Sequence, residues 1–188
     1  MGHQQLMADP AWLSRQIHTW HVEQVAPFTL PTQAARAYQL ERLANPDPLY
    51  CRFLYTAVGF KWVWYERLAW SEADWQICLN DANRHTFVAY IEGAPIGYFE
   101  LVDHGQHEIE IAYFGLMPNQ IGRGLGKPFL FDAINEAETL GAKRIWLHTC
   151  DMDHPAALSN YLACGFSIFK EESFEALIPN PMPDPFSP

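Results

Sequence analysis

The stretch of sequence that decides the fold is MPNQIGRGLGK, residues 117–127, which joins a predicted strand to a predicted helix. Its three glycines stand at the alternate positions 122, 124 and 126, so the backbone can turn tightly and come close to a ligand. The first turn of the following helix offers unpaired N–H groups and a positive dipole end, which together favour an anion. Arg123 and Lys127 add positive charge. The stretch therefore predicts an anion-binding loop.

Spacing alone leaves several interpretations of this loop. A Walker A loop needs GxxxxGK[ST], but Gly122 and Gly126 are one residue too close and Pro128 follows Lys127. A dinucleotide-binding loop needs GxGxxG and an acidic residue about 20 residues further on. The spacing here is GxGxG, although Asp151 does follow the next predicted strand. A tight turn without any ligand is the third interpretation.

Hydrophobic periodicity predicts the elements on both sides of the loop. Before it, strands at 86–91 and 96–102 form a hairpin and a third strand covers 107–116. After it come a helix at 124–140, a strand at 143–149, a helix at 155–163 and a strand at 166–174. A strand–helix–strand unit among antiparallel strands predicts an α/β (α+β) fold with a mixed, mostly antiparallel central sheet of about six or seven strands flanked by helices.

The first 80 residues are harder to interpret. They favour a strand within 20–30, a helix over 32–44 that ends at the prolines of 45–48, and a helix from Ser71 to about Asn83. The stretch 49–75 is rich in aromatic residues, which either pack in the core or form a wall over a substrate cleft. We interpret residues 1–178 as a single domain whose first 80 residues lie on the substrate side, and 179–188 as a proline-rich tail.

Composition argues against several classes of protein. The formal net charge is −10 and there is no run of basic residues, so nucleic acid is not expected as a partner. No apolar run is long enough to span a membrane. The four cysteines lack CxxC spacing, which favours reduced thiols in a cytoplasmic protein. The acidic balance also suits a cationic substrate.

Two motifs resemble those of the GNAT acetyltransferase superfamily. Its acyl-CoA loop, Q/R-x-x-G-x-G/A, falls on residues 121–126, with Ile121 at the first position. Its second motif, N-x-x-A-x-x-h-Y-x-x-x-GF with h apolar, falls on residues 154–166, where Ala157, Tyr161 and the Gly-Phe pair at 165–166 are in register. His154 and Asn160 replace the usual Asn and apolar residue. The resemblance covers residues 84–174. Within the superfamily, the sequence is similar to an uncharacterised bacterial branch.

The resemblance implies both the fold and the co-substrate. It implies a GNAT-like N-acyltransferase fold with a splayed strand pair, and acetyl-CoA as the co-substrate, without a metal. The backbone near Leu116 would pair with the pantetheine arm and polarise the thioester carbonyl, while the amides of 122–127 would hold the pyrophosphate. The residues that the resemblance assigns to this site are Leu116, Met117, Gly122, Arg123, Gly124, Leu125, Gly126, Lys127 and Asn160.

Two residues are candidates for proton transfer. Tyr161 matches the position of the family's usual acid, which protonates the leaving thiolate; an ordinary half-buried tyrosine is the alternative. Glu108 and Glu110 lie on the strand before the loop, and we favour Glu110 as the base because it is nearer the expected splay point. Strict alternation places both carboxylates on one face with Ala112 and Phe114, opposite Ile109, Ile111 and Tyr113. A solvated strand face is the alternative for the two carboxylates.

A cluster after the glycine loop raises the question of a metal. Its members are His148, Cys150, Asp151, Asp153 and His154. No closed ligand spacing supports zinc, so we predict no metal. His148 or Asp151, at the end of a predicted strand, is expected to contact substrate instead.

These observations predict an N-acetyltransferase that passes the acetyl group of acetyl-CoA to a primary amine by direct attack. The acceptor is expected to be a small-molecule or peptide amine, and the resemblance implies a homodimer as one assembly. Two alternatives stay open: a non-catalytic acyl-CoA-binding or sensing domain that lacks the acid and base, and a dinucleotide-binding oxidoreductase that uses the same loop.

Overall fold

The computed structural model describes residues 11–28 and 36–180, and its centre is a seven-stranded sheet. The strands are β1 (Ala11–Val25), β2 (Gln39–Arg42), β3 (Arg84–Ile91), β4 (Ala94–Asp103), β5 (Glu108–Leu116), β6 (Arg144–Cys150) and β7 (Ser167–Asn180). Their order is β2-β3-β4-β5-β6-β1-β7, and every neighbouring pair is antiparallel except β5 and β6. The predicted mixed, mostly antiparallel sheet is confirmed.

Helices cover both faces of the sheet. Helix α3 (Gly126–Thr139) connects the parallel strands β5 and β6, and α4 (Ala157–Ala163) lies beside it. The apolar stripe of α3, including Phe129, Leu130 and Ile134, is fully buried against the sheet. We call this side of the sheet the α3 face. Burial of this stripe packs α3 against the sheet, as the 3.6-residue periodicity of its apolar residues predicts.

The opposite side, the α1 face, is covered by α1 (Pro48–Gly59) and α2 (Glu72–Leu79). Asp47 caps α1 by accepting a hydrogen bond from the Tyr50 amide at 2.9 Å, and Pro48 fits the first turn. Ser71 and Asp74 form a capping box on α2, so the helix predicted from Ser71 is confirmed, although it ends sooner. Sequence analysis did not predict α1.

The prediction of a helix over 32–44 is wrong for the residues that the structure describes. Residues 39–42 form β2, an edge strand that pairs antiparallel with β3. Residues 32–35 lie outside the described part of the chain. The apolar stripe that favoured a helix was loose, and pairing with the exposed edge of β3 prevails over a weak local preference.

The C-terminal strand is longer than predicted. β7 pairs with β1 over nearly its whole length, and the pairs Trp12/Pro179 and Ala11/Asn180 end the ladder. The first two residues of the predicted proline-rich tail therefore belong to the sheet, and residues 181–188 lie outside the described part. Among the described residues, no helix has the length and apolar character needed to cross a membrane.

The strands β5 and β6 separate after a short contact. Only three positions pair, Glu108 with Arg144, Ile109 with Ile145, and Glu110 with Trp146. Beyond them β5 continues to Leu116 and β6 to Cys150 without pairing to each other. This gap is the splayed strand pair that the resemblance implies.

A β-bulge at Ala112 changes which side chains share a face of β5. Glu100 pairs with Tyr113 and Leu101 with Ile111, so Ala112 has no partner on β4. One extra residue inverts the alternation beyond it. The predicted grouping is therefore wrong: Phe114 lies on the α3 face with Ile109 and Ile111, while Tyr113 lies on the α1 face with the glutamates, as the two core clusters and the strand pairs show.

Candidate active site

The gap between β5 and β6 opens into a cleft of about 1100 Å³. Its lining comes from the glycine loop, α4, the segment that follows α1 and the C-terminal half of β6. Eight predicted site residues line it: Glu110, Leu116, Gly122, Gly124, Gly126, Lys127, Asn160 and Tyr161. The fold thus brings residues separated by up to 51 positions in the sequence to one cavity.

The glycine loop adopts a conformation that explains its composition. Gly122 and Gly124 have φ angles of +81° and +76°, in the left-handed region that residues with a Cβ seldom adopt. A Cβ at either position would meet no atom within 4 Å, so glycine is needed for its backbone freedom and not for space. Open space beside both glycines allows a ligand to approach the backbone closely.

The loop also presents unpaired N–H groups. Within the described residues, the amides of Gly122, Arg123 and Gly124 donate to no acceptor, and no side chain caps α3. The α3 dipole adds positive potential at the same place, and Lys127 lines the cleft beside it. Pro128 removes one donor from the first turn. These groups can accept an anion such as a pyrophosphate.

Three predicted cofactor residues lie outside the cleft lining. The Arg123 guanidinium donates to Gln120 Oε1 at 2.6 Å, which holds the side chain back on the preceding 3-10 turn. Leu125 packs against the core on the α3 face. Met117 is buried in the α1-face core. Of the two cations predicted at the loop, Lys127 alone is placed in the cleft wall.

The end of β5 has a backbone N–H that faces the cleft. Met117 donates its amide to the Ile96 carbonyl at 2.8 Å, on the β4 side. Because amides of an antiparallel strand point alternately to the two sides, the Leu116 amide points away from β4, towards the splay. The predicted oxyanion donor near Leu116 is therefore geometrically available, whereas the Met117 amide is engaged.

Tyr161 occupies the cleft from the side of α4. It is 8% exposed and packs near Phe114, with ring centroids 6.3 Å apart. Among the described residues, its hydroxyl makes no hydrogen bond. Burial, and to a lesser extent the negative charge of Asp153, raises the pKa of Tyr161 well above its usual value. The hydroxyl is therefore protonated at neutral pH and can act as a proton donor.

Asp153 fixes the end of β6 next to Tyr161. Its Oδ2 accepts hydrogen bonds from Thr149 Oγ1 at 2.7 Å and from the Cys150 amide at 3.0 Å. Burial, followed by Asp153, raises the pKa of the Cys150 thiol to about 11. Cys150 lines the cleft, but a thiol with this pKa is a poor nucleophile at neutral pH.

Glu110 stands at the point where β5 and β6 part, and its side chain is 14% exposed. Its Oε2 lies 2.9 Å from Nε2 of His104, and its Oε1 lies 3.8 Å from Nδ1 of His148. His148 lines the cleft, and its contact with substrate stays a prediction. Asp151 does not, since it binds Arg15 at 3.6 Å on the strand surface. The role of His104 had no signal in the sequence, because it depends on the turn between β4 and β5.

The aromatic-rich stretch divides between the two interpretations of it. Tyr55 and Trp75 are buried in the α1-face core. Trp62, Trp64 and Tyr65 line the cleft and form part of its wall. This wall also contacts the segment before α4, because the Trp62 and His154 rings meet edge to face, with centroids 5.1 Å apart.

Sequence analysis missed a buried ion cluster behind this wall. Arg67 donates to both carboxylate oxygens of Glu100, at 2.8 and 3.1 Å, and Arg84 donates to one of them at 2.5 Å. Arg67 and Glu100 are 4% and 1% exposed. The Arg67 guanidinium also lies over the ring of Tyr113, 4.1 Å from its centroid. Neither arginine is a free positive charge in the cleft.

The predicted metal candidates do not assemble into a ligand set. In residues 11–28 and 36–180, no group of three or more His, Cys, Asp or Glu side chains is arranged to hold a metal ion. His154 Nδ1 instead accepts a hydrogen bond from the Ala156 amide at 3.1 Å.

Comparison with known proteins agrees with this architecture. The sequence model of the acetyltransferase (GNAT) family matches residues 36–166, more than half of the chain. The chain therefore belongs to the GNAT acetyltransferase family and is an acyltransferase. None of the curated proteins compared matches the chain.

Solved structures share the fold at low sequence identity. A protein from Novosphingobium aromaticivorans, described as a GNAT-family acetyltransferase, is 16% identical with a TM-score of 0.60, over 92% of this chain and 68% of its own. An IAA acetyltransferase from Bacillus cereus is 25% identical with a TM-score of 0.55, over 71% and 79%. Spermidine N-acetyltransferase from Vibrio cholerae, solved with CoA and spermine, is 20% identical with a TM-score of 0.57, over 76% and 96%.

Proposed function

We propose that this chain transfers the acetyl group of acetyl-CoA to a primary amine by direct attack. The observation that carries the proposal is the single cleft between β5 and β6, which is lined by the glycine loop, Tyr161 and Glu110. A bound acetyl-CoA would supply an activated acetyl thioester. The loop amides and Lys127 would hold its pyrophosphate, and the backbone after the bulge would pair with its pantetheine arm.

The residues around the splay support the proton movements that the reaction needs. Glu110 takes a proton from the acceptor ammonium, which frees the nitrogen lone pair for attack. The Leu116 amide donates to the thioester oxygen as negative charge develops there. When the carbon–nitrogen bond has formed and the carbon–sulfur bond breaks, Tyr161 gives its proton to the sulfur. The nitrogen loses a second proton as the amide forms, and this proton restores the Tyr161 hydroxyl. Each turnover therefore releases one proton to solvent, the one that Glu110 took.

The charges of the cleft favour a cationic acceptor. Glu66 and Glu110 line the cleft together with aromatic rings. Two arginines of the lining, Arg67 and Arg84, share the carboxylate of Glu100. An ammonium group beside Glu66 or Glu110 would therefore meet carboxylates and ring faces, while Glu100 offsets part of the arginine charge. Both small amines and peptide N-termini satisfy this chemistry, and spermidine is a reasonable first probe because the Vibrio cholerae enzyme is a spermidine acetyltransferase.

The compartment and the assembly belong to the same proposal. Cys51, Cys78, Cys150 and Cys164 are all free thiols, which supports a cytoplasmic enzyme. We also propose that a homodimer is one assembly, to be checked by light scattering of the purified protein.

The test is an amine screen with detection of free thiol. The purified protein is mixed with acetyl-CoA and with spermidine, sisomicin, an amino-acid amide or a short peptide, each with a no-amine control. Thiol release that depends on one of the amines supports the proposal. Binding of CoA without release for any amine in a broad panel would favour a binding or sensing domain. A thermal shift with NAD but not with acetyl-CoA would favour the oxidoreductase, because a ligand of the native state raises the unfolding midpoint.

A further inference from the structure

Two histidines from different elements flank the carboxylate of Glu110. His104 lies on the turn between β4 and β5, and its Nε2 is 2.9 Å from Glu110 Oε2. His148 lies on β6, and its Nδ1 is 3.8 Å from Glu110 Oε1. Each carboxylate oxygen therefore has its own imidazole neighbour. The two neighbours differ in distance and in surroundings.

His104 is placed to fix the carboxylate. Its ring packs beside Trp146, with centroids 5.5 Å apart, and its amide donates to the Glu108 carbonyl at 2.9 Å. It does not belong to the cleft lining. A separation of 2.9 Å is a hydrogen bond in which the imidazole N–H donates to the carboxylate. This bond holds Oε2 away from the cleft and leaves Oε1 free to face it.

His148 connects Oε1 with the solvent. It lines the cleft and its side chain is 52% exposed, whereas that of Glu110 is 14% exposed. A separation of 3.8 Å is too long for a direct hydrogen bond, but it leaves room for one bridging water. Its Nδ1 is therefore available as a proton acceptor, while the exposed ring can release a proton from Nε2.

The other charged groups near His148 lie on the side away from Glu110. The His21 ring on β1 is 5.9 Å from the His148 ring, and His21 Nε2 bonds Glu172 Oε1 on β7 at 2.7 Å. Lys170 pairs with Glu172 at 2.7 Å. Within the described chain, no lysine or arginine pairs with Glu110. An arginine or lysine would hold the carboxylate charged without exchanging protons, whereas imidazoles exchange them readily.

We propose that His148 carries the proton of Glu110 out of the cleft, and that His104 is the positioning residue that makes this transfer possible. The proposal rests on the proposed function, in which Glu110 is the base. The acceptor ammonium gives a proton to Oε1, Oε1 passes it through one bridging water to Nδ1 of His148, and Nε2 of His148 releases a proton to solvent. Glu110 returns to its carboxylate form. The imidazole is again neutral but now carries its proton on Nδ1, and proton exchange with water returns that proton to Nε2.

The first experiment compares His148→Gln with wild type in steady-state acetylation of spermidine, or of the panel amine that gives the highest rate. We expect kcat to fall by about tenfold or more at low buffer concentration, since loss of a proton-transfer group typically costs this much or more. Added imidazole buffer should restore kcat progressively, because a dissolved base can replace an exposed relay. His85→Gln is the matched control, since His85 hydrogen-bonds Arg42 at 2.7 Å outside the cleft.

A kcat for His148→Gln within twofold of wild type at every buffer concentration would overturn the proposal. So would a loss that imidazole does not restore, because it would indicate a purely structural or binding role. A rise in KM with unchanged kcat would likewise show that His148 only contacts the acceptor.

The second experiment separates positioning from relay at His104. His104→Gln keeps an N–H donor for Oε2 and should retain most of kcat, whereas His104→Leu removes the donor and should lower kcat by about tenfold, without rescue by imidazole. Equal activity of these two variants would overturn the positioning role. Glu110→Gln separates the base role of Glu110 from the relay role of His148. If this variant keeps full activity, the base assignment fails. If it is inactive while His148→Gln is normal, only the relay fails.

Discussion

Glu110 and Trp146 are the last paired residues of β5 and β6, and the cleft opens directly beyond them. The proposed base therefore stands at the vertex of the splay. Tyr161 reaches the same cleft from α4, and the glycine loop contributes to its lining.

Removing the Tyr161 hydroxyl should slow turnover without weakening cofactor binding. We expect Tyr161→Phe to lower kcat by about 100-fold, the lower range for general acid catalysis, because the thiolate loses its proton donor. Calorimetric titration with CoA should give an unchanged Kd, since the ring still packs beside Phe114. An unchanged kcat would remove Tyr161 as the acid.

The alkaline limit of activity should depend on Asp153. Burial and the Asp153 charge raise the pKa of Tyr161, so wild type should lose activity with rising pH only above the ordinary tyrosine pKa of about 10. Asp153→Asn removes a negative charge that opposes the tyrosinate, so the pKa falls and the alkaline limb of the kcat profile should move to lower pH. Burial, the larger cause, remains, so the shift should be partial. A limb that moves to higher pH would contradict this prediction.

Substitutions in the glycine loop should separate cofactor binding from backbone strain. Gly124→Ala forces a Cβ into a left-handed conformation, costs about 1–2 kcal/mol and displaces the loop amides, so the Kd for CoA should rise at least tenfold. Gly93→Ala, in the turn between β3 and β4, carries the same strain at φ +82° with open space around it. It should lose similar stability in urea unfolding and keep the wild-type Kd. Equal weakening of CoA binding in both variants would mean that the loop acts only through stability.

The buried ion cluster should be a major support of the cleft wall. Arg67→Met leaves the buried carboxylate of Glu100 with Arg84 as its remaining partner. Breaking such a pair typically costs about 3–5 kcal/mol, which urea unfolding would measure. Arg144→Met, which removes the more exposed pairs with Glu23 and Glu108, should cost about 1 kcal/mol or less. Similar losses for the two variants would contradict the importance assigned to burial.

Trp62 should act on the acceptor and not on the cofactor. Trp62→Ala removes a cleft-lining ring and its contact with His154. We expect the KM for the amine to rise several-fold while the Kd for CoA is unchanged. Phe53→Ala serves as the control, because Phe53 is an exposed aromatic side chain on α1 outside the cleft lining. A rise in the Kd for CoA with no change in the KM for the amine would show that Trp62 contacts the cofactor and not the acceptor.

Local patterns predicted the second half of the chain well, because each element there has a strong signal of its own. The stripe of α3, the hairpin of β3 and β4, and the alternating glycines are all set by neighbours in the sequence. The first half gave weaker signals. β2 looked helical, and only the free edge of β3 makes it a strand. The site roles of Tyr161, Glu110 and the loop residues stay predictions, since they depend on a bound ligand.

The sequence by itself determined the mixed sheet and the alternating glycines of the loop, because these depend on spacing and periodicity within short windows, and its two motifs indicated the family by resemblance. The tertiary structure decided which side chains meet in the cleft. The unpaired residue Ala112 inverts the faces of β5, and no alternation rule reveals a bulge that arises from pairing with β4. His104 reaches Glu110 for a similar reason: the turn that carries it folds back only when β4 and β5 pair.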